Sequence, residues 1–253
     1  MDLETRQLQH LLSQTQQSPE VLLLKSSTTS TNDDVREIVS RGVQSVLVCS
    51  ALQTRGRGQR QHTWVSPEGN IYLSTFAQTQ TPIDGRFALE IALNILQMPS
   101  LQQLDLQVKW PNDLYSSRGK WGGILVEPIS AHQVIIGVGL NLMPIMDTQI
   151  DQKTSSLFEL GYQQQNRIQL IAELYLAIQQ AVQWFDHNSH NLAARFNHHA
   201  SFLNQAIRFE QQDEVFEGIF TGIQNDGAIC LQTADGLKTF YQGRLRPQSA
   251  EVE

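Results

Sequence analysis

The sequence has little of several things that commonly announce a function. Cysteine occurs only twice in 253 residues, as Cys49 and Cys230, each inside a short apolar run. That number and spacing exclude a disulfide-stapled secreted scaffold and the cysteine-rich zinc motifs, and leave two buried, reduced thiols. No apolar run approaches the roughly 18 residues of a membrane helix, so no membrane association is expected. The start, Met1-Asp2-Leu3-Glu4, has neither the basic residues nor the apolar core of a signal peptide, which predicts a cytoplasmic location. Positive charge is scarce: 18 Lys and Arg against 25 Asp and Glu give a formal net charge of -7. A general nucleic-acid binder needs a basic face to displace counterions, so no nucleic-acid partner is expected and any phosphate chemistry must be local. Walker A, zinc-protease and nucleophile-elbow motifs are absent. His187, His190, His198 and His199 sit in polar surroundings at spacings that match no standard metal motif.

What is present is a globular composition, 40% hydrophobic, with enough chain for one large domain and a small appendage. A short amphipathic helix is expected before Ser18-Pro19. Strand-length apolar runs follow at 21–24, 46–49, 71–76, 106–110, 123–126 and 134–138. Helical stretches at 32–41 and 87–96 lie between them, and Ile168, Ile171, Leu174, Tyr175, Ile178, Val182 and Phe185 mark a longer helix over 166–185. The fold class is α/β (α+β) with a mixed sheet. After a polar stretch at 187–201 the pattern changes to short strands around 206–209, 215–223, 228–231 and 238–241. Asn225-Asp226-Gly227 and Ala234-Asp235-Gly236 form the turns, which suggests a small β-barrel. The expected division is 1–205 and 206–253.

Several local patterns carry chemistry. Gln53-Thr54-Arg55-Gly56-Arg57-Gly58-Gln59-Arg60-Gln61-His62-Thr63-Trp64 sets three arginines among glycines, an anion site or a solvated basic loop. Lys109-Trp110-Pro111-Asn112-Asp113, followed by Lys120-Trp121-Gly122-Gly123, places two lysines and a carboxylate at consecutive strand ends, a site or a structural ion pair. Gly137-Val138-Gly139-Leu140-Asn141 pairs two glycines at a strand end but fails as a dinucleotide fingerprint. Ser30-Thr31-Asn32 offers hydroxyls and an amide to a ligand, or serves as a helix cap.

Taken in order, these segments together resemble the biotin protein ligases, from about residue 20 to the closing Gly243-Arg244-Leu245-Arg246-Pro247. The resemblance implies a catalytic domain related to class II aminoacyl-tRNA synthetases and a C-terminal SH3-like barrel. Only nineteen residues precede the matching region, so the chain resembles the monofunctional form that lacks an N-terminal DNA-binding domain. The implied activity is formation of biotinyl-AMP from biotin and ATP with Mg2+, then transfer to a lysine of biotin carboxyl carrier protein or a related carboxylase domain. A monomer or homodimer is expected. The rivals are a lipoate ligase and a non-catalytic biotin-responsive regulator.

The same resemblance assigns roles. Ser30, Thr31, Asn32 and Gln53 would hold the biotin ring. Gly56, Arg57, Gly58, Lys120 and Gly123 would surround its carboxylate, and Arg57, Gly58, Gln59, Trp64, Lys109, Asn112, Gly137, Gly139 and Asn141 the nucleotide, with Trp64 stacked on adenine. Lys120, Arg57 and Asp113 would be catalytic, and Asp113 the candidate for helping Mg2+. The chain departs from many relatives in having Gln59 in place of Arg and Gln61-His62 in place of Gly-Arg.

Overall fold

A computed structural model describes residues 2–145, 152–163 and 166–248. Seven strands form one mixed sheet: β1 (Val21–Lys25), β2 (Val46–Ser50), β3 (Ile71–Gln78), β4 (Gln107–Lys109), β5 (Asp113–Ser116), β6 (Gly119–Pro128) and β7 (Gln133–Leu140), in the spatial order β1-β2-β3-β7-β6-β5-β4. Only β1 and β2 run parallel; the remaining neighbours are antiparallel. The helices are α1 (Leu3–Ser13), α2 (Thr31–Ser40), α3 (Arg86–Leu96), α4 (Arg167–Asp186) and α5 (Leu192–His199). Among the described residues no helix is long and apolar enough to cross a membrane.

Strand alternation explains why this sheet has one largely apolar face and one divided face. Leu47 and Cys49, Ile71 and Leu73, and Val134, Ile136, Val138 and Leu140 point to the side covered by α1, α3 and α4 and join the main core. Burial there pushes the Cys49 thiol up to about 11. On the opposite side Val46, Val48, Phe76 and Ile135 pack under Val35 of α2. Two residues further along β3 and β7 the same side carries Ser74, Gly137 and Gly139. The apolar half of that face is covered by a helix; the small, polar half is left for something else.

The short strands at 206–241 and one more form a second, antiparallel sheet: β8 (Ala206–Gln211), β9 (Glu214–Ile223), β10 (Ile229–Thr233), β11 (Gly236–Phe240) and β12 (Arg244–Pro247), in the order β11-β10-β9-β8-β12. Its apolar residues Ile207, Phe209, Phe220, Leu231 and Leu245 are continuous with the core of the larger sheet. Trp110 makes the joint: its indole N-H donates to the Gly227 carbonyl at 3.0 Å and its ring lies 5.7 Å from Phe209. Residues 249–253, within the expected C-terminal unit, lie outside the described residues.

Three elements differ from the sequence reading, one of them β12, where only the end of a barrel was marked. The stretch 187–201 contains α5, whose buried face has only Leu192 and Phe196, too few apolar residues to register as a helical period. The strand β5, four residues long, is hidden because it begins at Asp113 and alternates across a half-buried edge region.

The α5 helix also neutralises a charge. Glu90 of α3 is fully buried, and Arg195 meets both its oxygens, through Nη1 at 3.0 Å and through Nη2 on Oε1. Removing the cation strands a buried carboxylate, so Arg195→Ala should lower unfolding free energy by about 3 kcal/mol in urea titrations. The double variant Arg195→Ala/Glu90→Gln should recover part of that loss; no recovery would show that the charge is not its source.

Candidate active site

The small, polar half of the sheet opens into a cleft of about 500 Å³, within the range of small-molecule sites. Every residue given a biotin, nucleotide or catalytic role above lines it except Gly56, which is buried behind the wall, where a side chain would collide with Ser66 and the Trp64 carbonyl. The segments that are scattered along the sequence therefore form one site. Gly243, Arg244 and Leu245 also border it, so the second sheet supplies part of the rim. The sequence had marked that segment only as the end of a barrel.

One wall is a hydrogen-bonded cluster at the N-terminus of α2. Ser30 occupies the N-cap position, but its side chain makes no capping bond. Thr31 donates its backbone N-H to Gln53 Oε1 at 2.9 Å, and Thr31 Oγ1 lies 3.1 Å from the same oxygen. Ser74 Oγ lies 2.6 Å from Thr31 Oγ1 and 2.5 Å from Asn32 Oδ1. Asn32 donates to Glu127 at 3.0 Å, and Gln53 donates to Ser66 Oγ at 3.1 Å. Ser74, Ser66 and Glu127 were not anticipated. Ser74 left one signal, a polar residue in the middle of an apolar strand.

Proton counting fixes the character of this cluster. The Asn32 amide oxygen only accepts, so it takes the Ser74 hydroxyl proton. The single Thr31 hydroxyl proton then serves either its contact with Gln53 or its contact with Ser74. Two hydroxyl protons thus serve three contacts, and lone pairs remain on Thr31 Oγ1 and Gln53 Oε1. These oxygens have accepting capacity to spare, and a ligand bearing N-H groups would pair with them.

The floor is glycine. A side chain at Gly137 would overlap the Asn32 amide, and a Cβ on Gly139 would lie 2.5 Å from Trp64 Nε1. The Trp64 indole rests on Gly139 and borders Gly123, with Lys120 Nζ 4.9 Å from its ring centroid. Two buried polar atoms facing this region have no partner: Trp64 Nε1 and Asn141 Oδ1. A donor and an acceptor left unpaired in a cleft are costly unless a ligand or water meets them.

Charge gathers at the other wall. Lys120 Nζ is 2.6 Å from Asp113 Oδ1, and Lys109 Nζ is 3.9 Å from Asp113 Oδ2. Burial holds the Lys109 ammonium below its usual range, partly offset by Asp113. Asn112 ties this strand end to β6, donating to the Ile124 carbonyl at 2.6 Å and accepting from its N-H at 3.0 Å. Arg57 meets both oxygens of Asp33 at 2.7 Å, and Glu127 lies 3.5 Å from Nη2. The hydrogen bonds it donates to Asp33 are the largest influence raising the Arg57 guanidinium above its usual range. Gln59 and Arg60 are exposed at the rim, with Arg60 in the left-handed region at φ 54°.

A metal does not fit Asp113 as the sequence reading had it. Its carboxylate already faces two ammonium groups, which would repel a further cation, and among the described residues no group of three or more His, Cys, Asp or Glu side chains could hold a metal.

Residues 24–141 match the Biotin/lipoate A/B protein ligase family, and residues 202–244 match the Biotin protein ligase C terminal domain. The chain is 30% identical over 235 residues to the bifunctional ligase/repressor BirA of Escherichia coli, covering 88% of this chain and 72% of that relative. The chain belongs to the biotin protein ligase family. A second member, the biotin--[acetyl-CoA-carboxylase] ligase of Mycobacterium tuberculosis, is 28% identical over 220 residues, covering 81% of each. The fold is that of the biotin protein ligase from Aquifex aeolicus in complex with biotin and ATP, with a TM-score of 0.78 at 20% identity, covering 90% of this chain and all of that one. The first match to the biotin protein ligase family runs from β1 to Asn141 at the end of β7, the stretch that carries the cleft's walls and floor.

Because Trp64 lies directly on Gly139, Gly139→Ala should expel the indole. Tryptophan emission should then shift to longer wavelength, and the same substitution in a Trp64→Phe background should leave it unchanged. A shift that persists without Trp64 would mean that the glycine floor does not seat this ring.

Proposed function

We propose that this biotin protein ligase activates biotin with ATP to biotinyl-AMP and transfers the biotinyl group to a lysine of biotin carboxyl carrier protein or a related carboxylase domain. The observation that carries the choice of substrate is the spare accepting capacity of the wall formed by Thr31, Gln53, Ser74 and Asn32. The ureido ring of biotin brings two N-H donors to such a wall. The dithiolane of lipoate brings none and would leave polar groups unpaired, at about 1–3 kcal/mol each. The family description covers both acids, so direct competition between them is the discriminating measurement.

The first step joins two anions. A carboxylate oxygen of biotin attacks the α-phosphorus of ATP, and pyrophosphate leaves. Arg57 and Lys120 would offset the repulsion and the charge that develops during transfer. Mg2+ would enter with the nucleotide as the phosphates' counter-ion, because the described residues build no cage for it. The adenine amino group would meet Asn141 Oδ1, the buried acceptor left without a partner. As Lys120 turns to the phosphate, one oxygen of Asp113 is released from its 2.6 Å contact. In the second step the neutral acceptor amine attacks the biotinyl carbonyl, AMP leaves, and Asp113 could take the amine proton.

Incubation with biotin, labelled ATP and Mg2+ should release pyrophosphate and form biotinyl-AMP, and a carrier domain should then become labelled. Lys120→Ala and Arg57→Ala should each slow adenylation by about two to three powers of ten, the usual effect of deleting one transition-state electrostatic partner. Near-normal pyrophosphate release in both would refute the assignment.

Gln59 predicts a second property. A neutral side chain on the rim lacks the charge and the fork of an arginine, a deficit of about 1–2 kcal/mol toward a phosphate. Gln59→Arg should therefore slow release of preformed biotinyl-AMP by roughly tenfold. Equal release rates in a stopped-flow chase would show that Gln59 is not a weak point of retention.

A further inference from the structure

Arg57 is expected to grip an anion, yet in this structure it already holds one. Asp33 takes both terminal nitrogens of the guanidinium at 2.7 Å each, the same two-pronged geometry that a phosphate or carboxylate would use. Among the described residues Asp33 makes no other side-chain hydrogen bond or ion pair. Glu127 differs: it also accepts from Asn32 and Arg36, at 3.0 and 3.3 Å, and so remains anchored without Arg57. The first carboxylate is a removable partner and the second a fixed post.

Arg57 shares a small hairpin with Trp64. The Trp64 N-H donates to the Gly56 carbonyl at 2.9 Å, and the Gly58 N-H donates to the His62 carbonyl at 2.7 Å, so residues 56–64 are braced as a unit. The indole of that unit lies on the Gly139 floor. A ligand that takes the floor must displace the indole, which shares this hairpin with Arg57.

We propose that Asp33 is a competing internal ligand for Arg57, a positioning residue whose carboxylate occupies the guanidinium until the substrate's anion replaces it. The inference rests on the adenylate-forming reading of the cleft. The exchange is physically cheap in both directions. Asp33 is half exposed, with a side-chain exposure of 50%, and exposed ion pairs are weak. Once released, its carboxylate remains in the first turn of α2, where the helix's N-terminal partial charge favours an anion. Arg57 never faces the cleft unpaired, and the chain keeps a cation ready there without a standing electrostatic penalty.

Asp33→Asn preserves the shape of the turn and removes the competitor. It should lower KM for biotin or for ATP, whichever anion Arg57 meets first, roughly two- to fivefold, the range set by a weak exposed pair. The kcat for pyrophosphate release should not fall, and Asp33→Glu should restore wild-type values. The gain should vanish in an Arg57→Ala background, which a merely structural role of Asp33 would not predict. Unchanged KM for both substrates, or a fall in kcat with a folded protein, would overturn the proposal, the latter by showing that Asp33 holds Arg57 in its working place. Absence of pyrophosphate release from the wild-type protein would instead refute the adenylation reading and this inference with it.

Discussion

The cleft depends on how the first turn of α2 is fastened to the sheet. Asn32 enters the space left by the missing side chain of Gly137, its amide oxygen takes the Ser74 hydroxyl, and its amide nitrogen reaches Glu127 on β6. Buried polar groups must be paired, so these bonds leave the turn little freedom. With that turn fixed, Ser30, Thr31 and Gln53 present their remaining hydrogen-bonding capacity to one point. Under the rest of α2 the same sheet face is ordinary apolar packing around Val35, Val48 and Phe76. Structural support and ligand wall are thus consecutive stretches of the same strands.

The electrostatics follow a similar economy. An acidic protein that handles anionic substrates needs concentrated positive charge in one place, and desolvated cations without partners would be costly. Lys120 and Lys109 share Asp113, and Arg57 is shared between Asp33 and Glu127. Each of these three cations has a carboxylate beside it. On the proposed reading, the chemistry would exchange these internal anions for those of the substrate, which would change net burial of charge little.

The second sheet is part of this arrangement. Trp110 sits one residue beyond β4, beside the Lys109–Asp113 cluster, and its indole is fastened to Gly227 and Phe209 of the second sheet. Leu245 lines the cleft while also belonging to the shared core. The continuous apolar core explains how a small sheet, marginal by itself, can supply a stable rim to the site.

The sequence by itself determined the fold class, most of the strands, four of the five helices and most of the segments that line the cleft. Those depend on local periodicity and on short segments whose residue types are chemically unusual, such as Gly137-Val138-Gly139 and Lys109-Trp110-Pro111-Asn112-Asp113. It did not contain α5, because Leu192 and Phe196 alone make too weak a pattern. Nor did it contain the partners: that Arg57 is held by Asp33, 24 positions away, that Asn32 reaches Glu127, 95 positions away, or that Ser74 joins Thr31 to Asn32. A side chain's type is local information, whereas its hydrogen-bond partner is set by how strands and helices meet in space. Which residues could bind an anion was therefore legible along the chain, and which of them are already occupied was decided only by tertiary packing.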